Sequence, residues 1–394
     1  MGLDLDCRQV TMLAQGLLRI PSVTGHEAQI ADFVRGYLQA LDFEAWVNDY
    51  QTVIAVLRRG EGPAVLMDGH IDTVEADAAS WRHPPFAGEV EAGRLYGRGA
   101  SDMKGALAAM LHAAAVLAAS PFAGTLVITG TSWEERFEGY TFGKALDELA
   151  TRGIRPDYVI IGEASELNIK RGQRGRTRVF VDIQGKAAHS AHPEKGINAV
   201  YQAVPLIQRL RALPPRTDDF LGPGIIELIG LHSLPQPVDS IVPYVARLSY
   251  DLRLLPGESQ DEVLARFEAE ITALAAQDPD FCATVELAQG TLVTASGREE
   301  SVVAFPPAWK LPVEHPLVQK ALAALLAIGL HPQVTKYDFC TNGSYSAGVA
   351  HIPTIGFGPG TEAGAHVTDE SISIEELALA SAGYVAICRE LWRA

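Results

Sequence analysis

The stretch Ala64-Val65-Leu66-Met67-Asp68-Gly69-His70-Ile71-Asp72 decides how this 394-residue chain is read. Its apolar run reads as a buried strand, and a histidine and two acids follow where that strand reaches solvent. Side chains alternate along a strand, so His70 and Asp72, two apart, point to the same side. Ser101-Asp102-Met103-Lys104-Gly105 follows about thirty residues later. Glu134-Glu135 then comes after a second apolar run and Glu163 after a third, and His366 lies near the C-terminus. Two histidines and several carboxylates at strand ends are a donor set suited to a pair of borderline divalent ions such as zinc.

Outward from that stretch, apolar runs alternate with helical periodicity. Thr24-Gly25-His26-Glu27 has capping-box spacing and opens an amphipathic run through Leu41. Strands are expected at Thr52 to Leu57, Ala64 to Met67, Thr125 to Thr129 and Tyr158 to Ile161. Helices are expected at Met103 to Ala119 and Gly143 to Ala150. This pattern predicts an α/β fold with a mostly parallel sheet, whose chemistry sits beyond the carboxyl ends of the strands. From about Thr177 the pattern changes. Alternating strands (Arg178 to Ile183, Val245 to Leu254) and amphipathic helices (Ala199 to Leu213, Glu262 to Ala276) predict a smaller antiparallel α+β domain inserted in the first. After the proline-rich stretch 305–312, a helix from Pro316 and a strand at Thr354 to Phe357 return to α/β character. The expected division is 1–177 plus 294–394 for the catalytic domain and 178–293 for the insert.

Composition narrows the function. There are 32 basic and 48 acidic residues, a formal charge of −16, which argues against nucleic acid or an anionic membrane as the main partner. Cys7, Cys282, Cys340 and Cys388 form no disulfide framework and no zinc-knuckle spacing, so a reducing, cytoplasmic setting is expected. The N-terminal Met1 to Asp6 lacks the pattern of a signal peptide, and no stretch of eighteen apolar residues predicts a membrane span.

Taken together, the motifs resemble the metallopeptidase family of acetylornithine deacetylase, succinyl-diaminopimelate desuccinylase and the glutamate carboxypeptidases. The pieces are Gly69-His70-Ile71-Asp72-Thr73, the Gly97 to Gly105 segment, Glu134-Glu135, Gly162-Glu163, Gly185 to Ser190, Gly356 to Gly360 and Ala365-His366, in family order along the chain. Gly99 to Lys104 and Gly172 to Arg176 are most similar to the branch of hydrolases linked to selenium metabolism, although no residue here explains selenium chemistry. The resemblance implies two divalent ions bridged by Asp102, with zinc expected and cobalt or manganese as alternatives. His70 and Glu163 would complete one ion, Glu135 and His366 the other. Asp72 would orient His70 by accepting its free ring N–H. Glu134 would be the general base, and His189, ahead of the less favoured His192, the donor to the oxyanion. Arg174, Arg253 and Thr341-Asn342-Gly343 match segments that hold a substrate carboxylate. Ser240, three residues before Pro243, stands where the family often has asparagine, which bears on the substrate contact.

The implied activity is amide hydrolysis of a small N-acyl amino acid, deacetylase- or desuccinylase-like, with a dipeptidase or carboxypeptidase as the alternative. The implied assembly is a homodimer through the inserted lid domain. Lone histidines (His26, His83, His112, His232, His315, His331, His351) read as ordinary surface or core residues. Glu134-Glu135 could be a charge pair at a helix start, and Glu163 a solvated loop acid. Two rivals come from other classes. A two-metal phosphoesterase would use similar donors. A non-catalytic scaffold would have lost Glu134 or Asp102, and both are present.

Overall fold

The computed structural model describes residues 7–236 and 239–393; the Met1 to Asp6 stretch read for a leader lies outside them. The chain divides into two compact units. One runs to Gln173, resumes at Thr291–Glu300 and again from Trp309; the other comprises Arg174–Gly290 and Ser301–Ala308. The chain thus passes between units at four points, where a single insertion implies two.

The first unit is built on a nine-stranded sheet. Its middle is parallel: Ala64–His70 lies between Gly124–Thr131 and Tyr158–Ile161, with Thr354–Gly356 on the far side of the last. Val53–Arg59 and Glu44–Val47 extend it antiparallel on one side. Ile169–Gln173 extends it on the other, pairing in turn with Trp309–Lys310 and Val334–Tyr337. Every residue of Ala64–His70 is buried, as expected of a central strand covered on both faces.

Period-two alternation sorts the side chains between two cores. Val65 and Met67, Leu126 and Ile128, and Ile160 join the helices Cys7–Leu18, Ala28–Gln39, Lys104–Ala118, Pro316–Ala327 and Ile374–Leu391. Leu66, Val127, Val159 and Ile161 point the other way, to Phe142, Ala145 and Leu149 of Tyr140–Thr151. The expected elements appear, mostly shifted at their ends by a few residues. One local reading is corrected: Thr24 does not cap the second helix. That helix starts at Ala28 with Glu27 in the cap position and no side-chain cap. The Thr24 hydroxyl donates to Asp72 instead, and Glu27 accepts the Gly25 and Trp133 amides.

The second unit is a four-stranded antiparallel sheet in the order Ile225–Leu234, Val245–Leu254, Gly175–Gln184, Cys282–Leu287. Helices Ala199–Arg211 and Gln260–Ala275 pack on it through Leu206, Val263 and Phe267. Ser259 opens the second of these with a complete capping box to Glu262. Among the described residues, no helix is long and apolar enough to cross a membrane.

Candidate metal centre

The residues of interest emerge where the parallel strands end. His70 is the last residue of its strand, in register with Thr131 of the neighbour, and Glu134 and Glu135 follow three and four residues later. Glu163 lies two residues past Tyr158–Ile161. Asp102 sits two residues before the helix Lys104–Ala118. His366 arrives on the segment between Thr354–Gly356 and Ser371–Ser373. Glu134-Glu135 lies in a turn, and the next helix begins only at Tyr140, so the helix-start reading of that pair is set aside.

Asp102 stands between the two imidazoles. Its Oδ1 is 2.8 Å from His70 Nε2 and its Oδ2 is 3.2 Å from His366 Nε2. Glu163 Oε1 approaches His70 Nε2 at 3.6 Å, and Glu135 Oε2 lies 2.9 Å from His366 Nε2. Donor atoms of His70, Glu134 and Glu163 fall within 4.8 Å of one another, as do those of His70, Asp102 and Glu135. All but His366, which is half exposed, are largely buried.

The role expected of Asp72 is corrected. His70 Nδ1 bonds the Asp72 backbone carbonyl at 2.9 Å, while the carboxylate is 3.6 Å away, beyond a hydrogen bond. That fully buried carboxylate instead accepts the backbone N–H of Glu134 at 3.1 Å and of Glu135 at 3.2 Å, plus the Thr24 hydroxyl at 2.9 Å. Asp72 therefore orients His70 through its main chain and the Glu134-Glu135 turn through its side chain. Trp133, just before that pair, and His366 both have left-handed backbone (φ 58° and 60°), conformations that surrounding structure must enforce.

The electrostatics favour a cation. Burial, with Asp102 and Glu135 nearby, drives Glu163 well above the ordinary carboxylate range even though His70 opposes the shift. Glu134 is driven up in the same way by burial and by Glu163, Glu138 and Glu135. Burial pulls the His70 imidazole down, but the surrounding carboxylates outweigh it and hold it well above its usual value. Hydrogen bonds to Asp102 and Glu135 push His366 up to about 10. Asp102, despite burial, is held low by the two imidazoles. One oxygen each of Glu134 (Oε1) and Glu163 (Oε2) is buried without a hydrogen-bond partner. Carboxylates crowded this closely need positive charge, and two imidazole nitrogens among hard oxygens suit borderline divalent ions. The residues fit the implied metals.

Other expected site residues fall elsewhere. Thr341 and Asn342 are buried in the first unit, and their side chains serve the scaffold. Thr341 bonds Gln173 at 2.7 Å. Asn342 donates to Asp68 and Thr131 and accepts the Gly139 amide. Gly343 donates its amide to the Thr341 hydroxyl. These bonds tie all three residues into the scaffold. In the second unit, Arg174 bonds the Pro223 carbonyl and Arg253 lies 3.3 Å from Asp251. His189 is exposed there, its Nδ1 accepting the Ala191 amide. The sequence assigns no role to Asp68 or Glu370 and only a capping role to Glu27, yet each is a buried carboxylate tied to a site segment. The only sequence signal was an acid beside a motif residue, which charge and spacing alone do not separate from a solvated one.

Residues 66–390 match the profile of peptidase family M20/M25/M40. The uncharacterized protein YgeY of Escherichia coli K12 is 30% identical over 386 residues, covering 96% of this chain and 93% of that protein. Succinyl-diaminopimelate desuccinylase of Caulobacter vibrioides is 27% identical over 394 residues, covering 97% and 96%. The crystal structure of aminopeptidase PepT from Bacillus cereus superposes with a TM-score of 0.78 at 23% identity, over 99% of this chain and 100% of that one. The chain belongs to peptidase family M20/M25/M40. It is a hydrolase of amide bonds in a metal-dependent family, and the phosphoesterase and non-catalytic readings fall away.

Proposed function

We propose that the protein is a co-catalytic, two-metal amide hydrolase acting on small N-acyl amino acids, deacetylase- or desuccinylase-like. The observation that carries the site is Asp102, whose two oxygens each meet a different imidazole, with Glu163 and Glu135 flanking them. In this reading His70 and Glu163 would hold one divalent ion, Glu135 and His366 the other, and Asp102 would serve both. Zinc is the expected metal, with cobalt or manganese as alternatives. Such ions supply Lewis acidity, polarising a carbonyl and acidifying a water.

The chain's own groups do the rest. Glu134 has a buried, unpartnered Oε1, and its carboxylate lies within 4.8 Å of donor atoms of His70 and Glu163. It takes the proton from the attacking water and later delivers it to the leaving amine. Asp72 holds the Glu134 amide, so the base keeps its position through both transfers. His189 supplies the oxyanion's further donor, and Arg174 and Arg253 are candidates for the substrate carboxylate.

A second reading is a dipeptidase or carboxypeptidase, which would use the same machinery on a peptide bond. Release of free amine from a panel of N-acetyl amino acids, N-succinyl amino acids and dipeptides, with zinc-loaded and chelator-stripped protein, separates the two. Metal-dependent release from the acyl substrates supports deacylation, release from dipeptides alone the second reading, and no release with two metals bound refutes both. Glu134→Gln is expected to abolish turnover with metal content intact.

A further inference from the structure

The buried acid Glu370, four residues after His366, lies at a point that no assigned role explains. Its side chain has no exposure. One oxygen, Oε1, accepts the backbone N–H of Ser101 at 2.8 Å and of Asp102 at 2.9 Å. The other, Oε2, meets the buried Arg98 guanidinium at 2.5 Å. The Glu370 main chain is tied to the same loop, its carbonyl accepting the Gly97 amide at 2.9 Å. Directly beyond it, Ser371–Ser373 pairs antiparallel with Arg94–Tyr96. Just before it, Asp369 Oδ1 accepts the Arg82 and His83 amides at 2.9 and 3.0 Å.

One carboxylate therefore joins two segments more than 260 residues apart in sequence, one carrying Asp102 and the other His366. We propose that Glu370, held by Arg98, is the positioning residue that sets the Asp102 carboxylate between the two imidazoles. It does for Asp102 what Asp72 does for Glu134 and Glu135: a buried carboxylate clamps two successive amides. Both ends of Glu370 are needed. A neutral or shorter side chain cannot satisfy two amides on one side and a buried guanidinium on the other. Glu370 touches no reacting atom; it acts through Asp102, and the proposal rests on the reading of Asp102 as bridging ligand.

The test uses the full-length protein stripped of metal, titrated with zinc against a chromophoric chelator, and with cobalt for its visible spectrum. Asp102→Asn is expected to lose zinc, which checks the underlying reading. Glu370→Asp keeps the charge for Arg98 but falls one methylene short of the amides. It is expected to lose about 10–100-fold in zinc affinity, the scale typical of a group supporting a ligand, with an altered cobalt spectrum. The stranded amides should also lower its metal-free urea midpoint, so affinity and spectrum are read without urea, where the variant is folded. Arg98→Lys, which keeps the charge but not the planar fork, should lose less in the same direction, and it decides the matter if Glu370→Asp does not fold. Parent-like zinc affinity and cobalt spectrum in these variants, with Asp102→Asn impaired, would overturn the role of Glu370 alone. Weaker zinc binding with a parent-like cobalt spectrum would overturn it too, as general destabilisation. Two zinc ions retained by Asp102→Asn would sink the bridging reading and this inference with it.

Discussion

At the scale of single residues, the site is governed by buried carboxylates whose partners are backbone amides. Asp72 accepts two amides and a hydroxyl, so Asp72→Asn turns an acceptor into a donor facing N–H groups. It should cost about 10–100-fold in metal affinity, read by chelator competition, because the Glu134-Glu135 turn loses its anchor. Unchanged affinity would mean that the turn holds itself. Glu27 offers a pH test at a buried carboxylate that is not itself a proposed ligand. Burial, with Asp72 nearby, raises its carboxyl from 4.5 to about 7, so the folded chain keeps a proton that the unfolded chain releases. The stability present below the unfolded value is lost as pH rises through the folded one. Glu27→Gln should match the parent near pH 4 and exceed it at pH 8 by up to about 3 kcal/mol in urea unfolding, at about 1.4 kcal/mol per pH unit. Equal stability at both pH values would contradict the assignment.

At the scale of elements, close backbone approach makes the strand ends converge. A Cβ on Gly358 would stand 2.2 Å from the Gly162 carbonyl oxygen and 2.5 Å from that of Glu163, with no flexible side chain to yield. Gly358 also donates to Ser165 and accepts from Leu167, so its segment cannot retreat without losing those bonds. Gly358→Ala should therefore displace Glu163, destabilise the protein by about 1–3 kcal/mol and weaken one metal equivalent. Thermal unfolding with and without zinc would show it, and a parent-like difference between the two states would argue that the strain is absorbed elsewhere. The same scale explains Thr24. Capping-box spacing is a local signal, but Asp72 offers the hydroxyl a buried anionic partner, and the tertiary bond wins.

At the scale of the whole molecule, the proposed homodimer would form through the second unit. Its outermost strand, Ile225–Leu234, lies at the edge of the four-stranded sheet and exposes Ile229 (54%) and Leu231 (42%). A long edge strand with exposed apolar side chains is a template for pairing with another chain. Ile229→Lys together with Leu231→Lys is expected to shift the protein to monomer in light scattering after gel filtration. A parent already monomeric at micromolar concentration would refute the assembly.

The sequence alone determined the class of fold, because buried-strand runs and helical periodicity alternate through the first 160 residues and each local preference agrees with its neighbours. It also offered the candidate metal ligands, since His70, Glu134, Glu135 and Glu163 follow buried strands and Asp102 and His366 complete the family order that the chain resembles. Two kinds of fact escaped it. The short strand Ile169–Gln173 owes its existence to partners far along the chain, Trp309–Lys310 and Val334–Tyr337, and the edge strands Glu44–Val47 and Ile225–Leu234 to the strands that follow them. The duties of Asp72, Asn342 and Glu370 depend on which amides the folded chain brings to them, across as many as 63, 203 and 269 residues. A hydrogen bond depends on distance and direction in space, and only the tertiary structure decides those.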